Sequence, residues 1–368
     1  MVYCRGCVSA AIVAALLSAA ATLSHAQPIS DATAQSSNSV RQVISLNGEW
    51  LFQRDGARPD EWKTVTVPSS FEQHEGIEFN GVGWYRKRIE PFALSPGERV
   101  LLHFQAAATE ATVWWNGEKL GTHLGAWTPF RFDVTEEVRK AAAGQPHELL
   151  VRVDEKVGHN MQGFLPAVAP HFGGLWQEVA LLIVPATYCD DLHLLAVGDL
   201  GASEVRLEVP LAGDVPQGVP AVTVRARLRG TRDWVVLSPS IARSGDTLIC
   251  RAPVPDAHPW SPVEPHLYDV ELALPGSNGD LISTRVGFRS VEVFGQQLRL
   301  NGRPLQIRGL LNWGYSPPLA APNPGEEAWR RELAGSGSDE RLGACHAMEH
   351  GPAYGCNGAR FVRDSAMV

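Results

Sequence analysis

From Val43 to Pro185 the hydrophobic positions come in short runs or strict alternations separated by turn residues, and almost no stretch holds a 3.6-residue period over a helix length. The runs Trp50-Leu51-Phe52, Val65 to Val67, Val100 to Phe104, Val113 to Trp115, Leu149 to Val153 and Val179 to Val184 read as strands. Between Trp115 and Leu120 sits Asn116-Gly117, the dipeptide that supplies the two positive φ values of a tight type I′ hairpin turn. Many short strands joined in this way predict a sandwich or jelly roll over 43–185.

A second β block covers 186–293. Val205, Leu207 and Val209 alternate with polar partners, as do Val222, Val224, Ala226 and Leu228, and later Val270, Leu272 and Leu274. About seven strands in roughly 100 residues suit an immunoglobulin-like β-sandwich. The Pro-rich stretches around Pro185 and from Pro253 to Pro265 are loops, because proline cannot donate to a ladder.

A third pattern opens at Phe294. Leu298 and Leu300, the turn Asn301-Gly302, then Leu305 and Ile307 predict a hairpin, and Ile307 to Leu311 a buried strand. A helix start follows over 323–333, with Glu326 and Glu327 in its first turn and Arg330 and Arg331 later, as the helix dipole favours. Beyond Ala334 the period dissolves into Gly335-Ser336-Gly337-Ser338 and scattered Cys and His, so 334–368 reads as an irregular tail. The fold class expected is mainly β.

Composition narrows the function. The 368 residues, 44% hydrophobic and 20% charged, have room for two or three domains. A formal net charge of −8 with dispersed Lys and Arg leaves no basic patch to track phosphates or anionic lipid, which argues against nucleic-acid and membrane partners. Arg5, the apolar stretch from Val8 to Leu23 and Ser24-His25-Ala26 form a signal peptide over 1–26, cleaved after Ala26, and predict a secreted or periplasmic protein. That apolar run falls short of the roughly 20 residues that span a bilayer. Residues 27–42, rich in Ser, Ala, Gln and Asn without periodicity, read as a disordered leader. Of six cysteines, Cys4 and Cys7 leave with the signal, and the other four are no disulfide scaffold. Cys189 and Cys250 share a predicted domain, and whether they pair stays open.

Several ordered segments carry a family resemblance. They are Leu46-Asn47-Gly48-Glu49-Trp50-Leu51-Phe52, Val67-Pro68-Ser69-Ser70-Phe71, Gly83-Trp84-Tyr85-Arg86-Lys87 and Val113-Trp114-Trp115-Asn116-Gly117. Further along come Gly125-Ala126-Trp127-Thr128-Pro129-Phe130, Gly174-Leu175-Trp176-Gln177-Glu178-Val179, Trp260-Ser261-Pro262 and Gly287-Phe288-Arg289 leading into Leu300-Asn301-Gly302-Arg303-Pro304. In order and spacing, from about Ile44 to Leu333, they resemble glycoside hydrolase family 2, the relatives of β-galactosidase, β-glucuronidase and β-mannosidase. The resemblance implies a sugar-binding jelly roll over 43–185, an immunoglobulin-like domain over 186–293 and the start of a TIM barrel over 294–333. Trp114, Trp115, Trp127 and Trp176 offer faces for stacking on sugar, although Trp50, Trp115 and Trp176 read more readily as sandwich core.

Retaining glycosidases need two carboxyl groups roughly 5 to 5.5 Å apart, and the resemblance places both glutamates on later barrel strands, so no catalytic residue is expected in this chain. Asp154-Glu155 and Glu136-Glu137 read as solvated surface and Glu326-Glu327 as helix-terminal charge. Cys345-His346, His350 and Cys356 are zinc-type ligands, but their spacing fits no zinc module and no metal site is expected. No phosphate-cradling loop or nucleotide fingerprint is present, and no cofactor is expected. The resemblance makes Gly158 to Phe164, continuing through His171 to Gly174, a loop that reaches toward the barrel mouth. Asn160, Gln162 and His171 are its candidate contacts to sugar hydroxyls, with a β-glycoside or oligosaccharide as the expected partner. Two functions fit: the front part of a secreted family 2 β-glycosidase, out of frame after Leu333, or a non-catalytic secreted carbohydrate-binding protein.

Overall fold

The computed structural model describes residues 41–142, 144–156, 172–276, 279–307, 309–312, 330 and 345–348. The first block runs through β1 (Gln42–Ser45), β2 (Gly48–Arg54), β3 (Lys63–Val67), the short helix α1 (Phe71–Glu75), β4 (Val82–Ile89), β5 (Glu98–Phe104), β6 (Glu110–Trp115), β7 (Glu118–Leu124) and β8 (Phe130–Asp133). A second short helix, α2 (Thr135–Lys140), precedes β9 (His147–Asp154) and β10 (Val179–Pro185). Asn116 and Gly117 turn the β6–β7 hairpin with φ of 50° and 84°, the conformation expected of that dipeptide.

These strands form two facing antiparallel sheets, one ordered β3-β2-β4-β9-β6-β7 and the other β1-β10-β5-β8. Alternation makes the core. On β9, His147, Leu149, Val151 and Val153 point inward while Glu148, Leu150 and Arg152 do not. They meet Trp50, Phe52, Tyr85, Phe104, Trp115 and Leu181 between the sheets. Trp50, Trp115 and Trp176 are at most 2% exposed and are core, whereas Trp114 and Trp127 remain partly exposed. Burying each such ring contributes on the order of 2 to 3 kcal/mol.

The second block supplies β11 (Thr187–Cys189), β12 (Leu195–Asp199), β13 (Glu204–Gly213), β14 (Thr223–Leu228), β15 (Val235–Leu237), β16 (Ser240–Ser244), β17 (Thr247–Pro253), β18 (Tyr268–Ala273), β19 (Leu281–Val286) and β20 (Phe288–Arg289). One sheet follows the order β16-β17-β13-β12-β20, with β11 on β13, and packs on β15-β14-β18-β19. The shortest strands exceed the seven expected because two or three residues carry too little alternation to stand out. Cys189 and Cys250 are both free, buried thiols. They face Leu211 and Leu207 on opposite sides of β13. Four residues along a strand is roughly 13 Å, beyond the Cα reach of a disulfide.

The sandwiches meet at a charged seam. Arg41, just before β1, donates to Asp280 through Nε at 2.8 Å and a terminal nitrogen at 2.6 Å, and to Asp191 at 2.6 Å. Arg131 on β8 holds the same Asp191 at 2.8 and 3.1 Å. Asp280 is fully buried and also accepts the Cys189 N–H at 2.7 Å. A Cβ at Gly213 would lie 1.9 Å from the Ala186 carbonyl oxygen, so only glycine lets β13 pass the linker this closely.

Past the sandwiches, β21 (Val291–Phe294), β22 (Gln297–Leu300) and β23 (Arg303–Pro304) form a small sheet around the expected Asn301-Gly302 turn. β21 runs across the position 293/294 expected to divide two domains. β24 (Gly309–Asn312) pairs in parallel with β25 (Cys345–Met348). A strand at 345–348 departs from the irregular tail expected there; its four residues are too few to show a period, and a nonlocal partner selects them. The helix expected over 323–333 lies outside the described residues except for Arg330, which is helical, and so does the signal peptide. No helix among the described residues is long and apolar enough to cross a membrane.

Candidate functional site at the root of the β9–β10 connection

Asn160, Gln162 and His171 all lie outside the described residues, so the structure does not place them. It does describe both stems of their connection: Asp154, Glu155 and Lys156 leaving β9, and Phe172, Gly173 and Gly174 returning toward β10. The returning stem is locked against the jelly roll. Phe71 N–H donates to the Gly173 carbonyl at 2.8 Å, and Ala108 and Gly174 exchange hydrogen bonds at 3.0 and 2.9 Å. A Cβ at Gly173 would come within 2.4 Å of the Phe71 ring and 2.9 Å of Glu155 Cβ, while Gly174 has φ of +100° and lies against the Tyr85 hydroxyl. Phe172, Trp176 and Trp127 pack edge to face beside this stem, and Trp176 Nε1 donates to the Ala126 carbonyl at 2.9 Å.

Around Gly173 the jelly roll buries two carboxylates. Glu72, on α1, and Glu155, just beyond β9, are each 1% exposed. Among the described residues, all four of their carboxylate oxygens and the Ser70 hydroxyl lack a partner at full hydrogen-bond geometry. Burial pushes the Glu72 carboxyl up to about 7, against smaller opposing pulls from its own N–H, the Ser70 hydroxyl and the Gly173 N–H. Burial, and then the charge of Glu72, push Glu155 up to about 8. Lys156, the cation that draws Glu155 down, is exposed. Both carboxylates act on the Tyr85 phenol, which is buried and held well above its usual range by that burial first and by them second. Glu75, one turn along α1, shows the contrast. It pairs with Arg54 at 2.5 Å and with Lys63, with His74 beside it, and stays below its ordinary value although burial opposes this.

Glu155 corrects the expectation that Asp154-Glu155 is solvated surface. The alternation of Val151 and Val153 continues one step past the end of β9 and turns Glu155 onto the core side. That signal was present in the sequence. Glu72 had none, since a five-residue helix shows no period and only packing decides which side is buried. Glu136 and Glu137 occupy the first turn of α2 as helix-terminal charge, outside the core. No group of three or more His, Cys, Asp or Glu residues among the described residues is placed to hold a metal ion.

Comparison with known proteins decides the family. A model described as the glycosyl hydrolase 2 galactose-binding domain-like domain matches residues 79–164, and one described as glycosyl hydrolases family 2 matches 204–289. The chain carries two domains that match glycoside hydrolase family 2 models. A β-galactosidase of Thermoanaerobacter pseudethanolicus is 27% identical over 296 residues, covering 73% of this chain and 38% of that protein. A β-glucuronidase of Felis catus is 26% identical over 326 residues, covering 73% of this chain and 48% of that protein. Among solved structures, Bacteroides uniformis β-glucuronidase 2 superposes with a TM-score of 0.66 at 21% identity, over 89% of this chain and 42% of its own. A family 2 β-galacturonidase from Eisenbergiella tayi bound to galacturonate gives 0.67 at 22% identity, over 89% of this chain and 57% of its own. The chain thus spans about two fifths to one half of the length of these two relatives, and its jelly roll and sandwich follow in the order the sequence implied.

Proposed function

We propose that this chain is the substrate-side, non-catalytic portion of a secreted family 2 β-glycosidase, acting on β-galactosides or β-glucuronides as its relatives' names describe. The observation that carries the reading is the order of the two matched family 2 domains together with the β9–β10 connection, whose returning stem is braced at Gly173 and Gly174. Catalysis by the described residues is disfavoured on geometry. The carboxylate pair that they bring together, Glu72 and Glu155, is sealed in the jelly roll at 1% exposure and cannot reach a glycosidic oxygen. Asn160, Gln162 and His171 remain the proposed contacts to sugar hydroxyls. A fluorogenic assay with galactoside, glucuronide and mannoside substrates is expected to show no turnover above background. Turnover that scales with protein concentration sinks the non-catalytic part of the proposal.

A second reading, a stand-alone carbohydrate-binding protein, is favoured by one observation. Trp84 and Trp114 lie partly exposed, with ring centroids 5.5 Å apart and planes tilted by 30°, and can offer faces to sugar C–H surfaces. Calorimetric titration with a β-glycoside panel distinguishes the readings: heat lost in Trp114→Ala supports this one, and none at millimolar ligand removes it.

A further inference from the structure

We infer that Glu72, Glu155 and Ser70 form an oxygen-only site for a hard divalent cation of the calcium type, set between the two stems of the β9–β10 connection. Five side-chain oxygens of these residues are buried, and among the described residues none of them completes a hydrogen bond. Buried polar oxygens are normally paired, and two like charges buried together cost several kcal/mol unless something neutralises them. The protein solves that problem elsewhere with side chains: Glu75 in the jelly roll has Arg54 and Lys63, and Asp280 in the second sandwich has Arg41. Among the described residues no such basic partner is paired with Glu72 or Glu155, and the cation that acts on Glu155 is the exposed Lys156.

The chemistry of the donors selects the ion. Two carboxylates balance a divalent charge, and carboxylate and hydroxyl oxygens without nitrogen or sulfur suit calcium rather than zinc or copper. Calcium accepts six to eight oxygens in irregular geometry and completes its shell with water or backbone carbonyls, whereas magnesium demands a near-ideal octahedron. With two carboxylates the cluster falls short of a three-carboxylate or histidine set, so it would bind with modest affinity and act as a brace. Glu155 stands on the outgoing stem, and its Cβ lies where a side chain on Gly173 of the returning stem would have to sit. An ion here would tie α1 to the outgoing stem, beside Gly173 of the returning stem. The inference is independent of the proposed glycosidase role.

The test is thermal unfolding of the full chain at pH 8, in EDTA and in about 5 mM calcium chloride. A weak single site at such an excess is expected to raise Tm by about 5 to 10 °C. The increment should fall to about 1 °C or less in Glu155→Gln and in Glu72→Gln, each of which keeps the side-chain shape. No increment in the parent protein, or an undiminished one in both variants, overturns the site. Should a variant fail to fold, terbium luminescence on the parent decides. Emission sensitised by Tyr85, saturating at one ion per chain and displaced by calcium, supports the site, and absence of emission overturns it.

Discussion

The protein packs two pairs of acidic side chains at internal seams, Asp191 only partly buried, and it treats them in opposite ways. At the seam between the sandwiches, Asp191 and Asp280 are gripped by Arg41 and Arg131 in direct ion pairs. Although burial opposes the charge, the Arg131 and Arg41 guanidiniums hold the Asp191 carboxyl well below the usual carboxylate range. At the root of the β9–β10 connection, Glu72 and Glu155 are more deeply buried than Asp191 and have no such partner among the described residues, so burial pushes their carboxyls up instead. A paired buried charge glues two domains together. An unpaired pair is a store of unfavourable energy that the rest of the jelly roll must hold. The first arrangement is structural by nature, while the second invites a proton or an ion.

Removing the seam's cation should produce the largest effect. Arg41→Ala leaves Asp280 fully buried without its partner and is expected to cost about 3 to 5 kcal/mol in urea unfolding. A loss below about 1 kcal/mol would show that the Cys189 N–H alone suffices for Asp280. Next comes pH, measured in EDTA. Glu72 and Glu155 have folded values of about 7 and about 8 against an ordinary 4.5, so the folded chain holds more protons than the unfolded chain between those limits. Their contribution is whole below pH about 4.5, declines as pH rises to about 8, and is constant above. The decline should reach roughly 3 kcal/mol or more. Asp191 runs the other way: its folded value is depressed, so its contribution holds above the ordinary carboxylate range and fades as pH falls below it. Stability that rises from pH 5 to 8 contradicts the contrast between the two pairs.

Smaller effects sharpen the same contrast. At pH 8 in EDTA, Glu155→Gln should raise the urea midpoint, worth about 1 to 3 kcal/mol, whereas Asp280→Asn should lower it by weakening its hold on Arg41. Equal signs for the two variants would mean that burial, rather than pairing, separates the sites. Of similar size is Gly173→Ala, whose added methyl must displace the Phe71 ring or Glu155. Overpacking of this kind is expected to cost about 1 to 3 kcal/mol.

The family 2 jelly roll and sandwich were largely legible in the chain, because alternation with period 2 survives wherever a strand has one buried face. β9 and β13 show it over their whole lengths. The Asn116-Gly117 and Asn301-Gly302 turns were legible for a different reason: positive φ is a local steric demand. The candidate site was not legible in the same degree. Glu155 lay one step along a visible alternation but next to Asp154, and the pair looked like surface. Glu72 lies 83 positions before it on a helix too short for any period, and α1 is turned inward by Phe71 packing on Phe52 and Tyr85.

By itself, then, the sequence determined which segments are strands, where they turn, and in which order the family 2 domains follow, because these depend on neighbours two to four residues apart. Only the tertiary structure decided which charges are paired. Arg41 reaches Asp280 across 239 positions, and the charge of Glu72 acts on Glu155 with no ion pair to either among the described residues. Burial and the distance between distant charges set that outcome, and no local pattern encodes either.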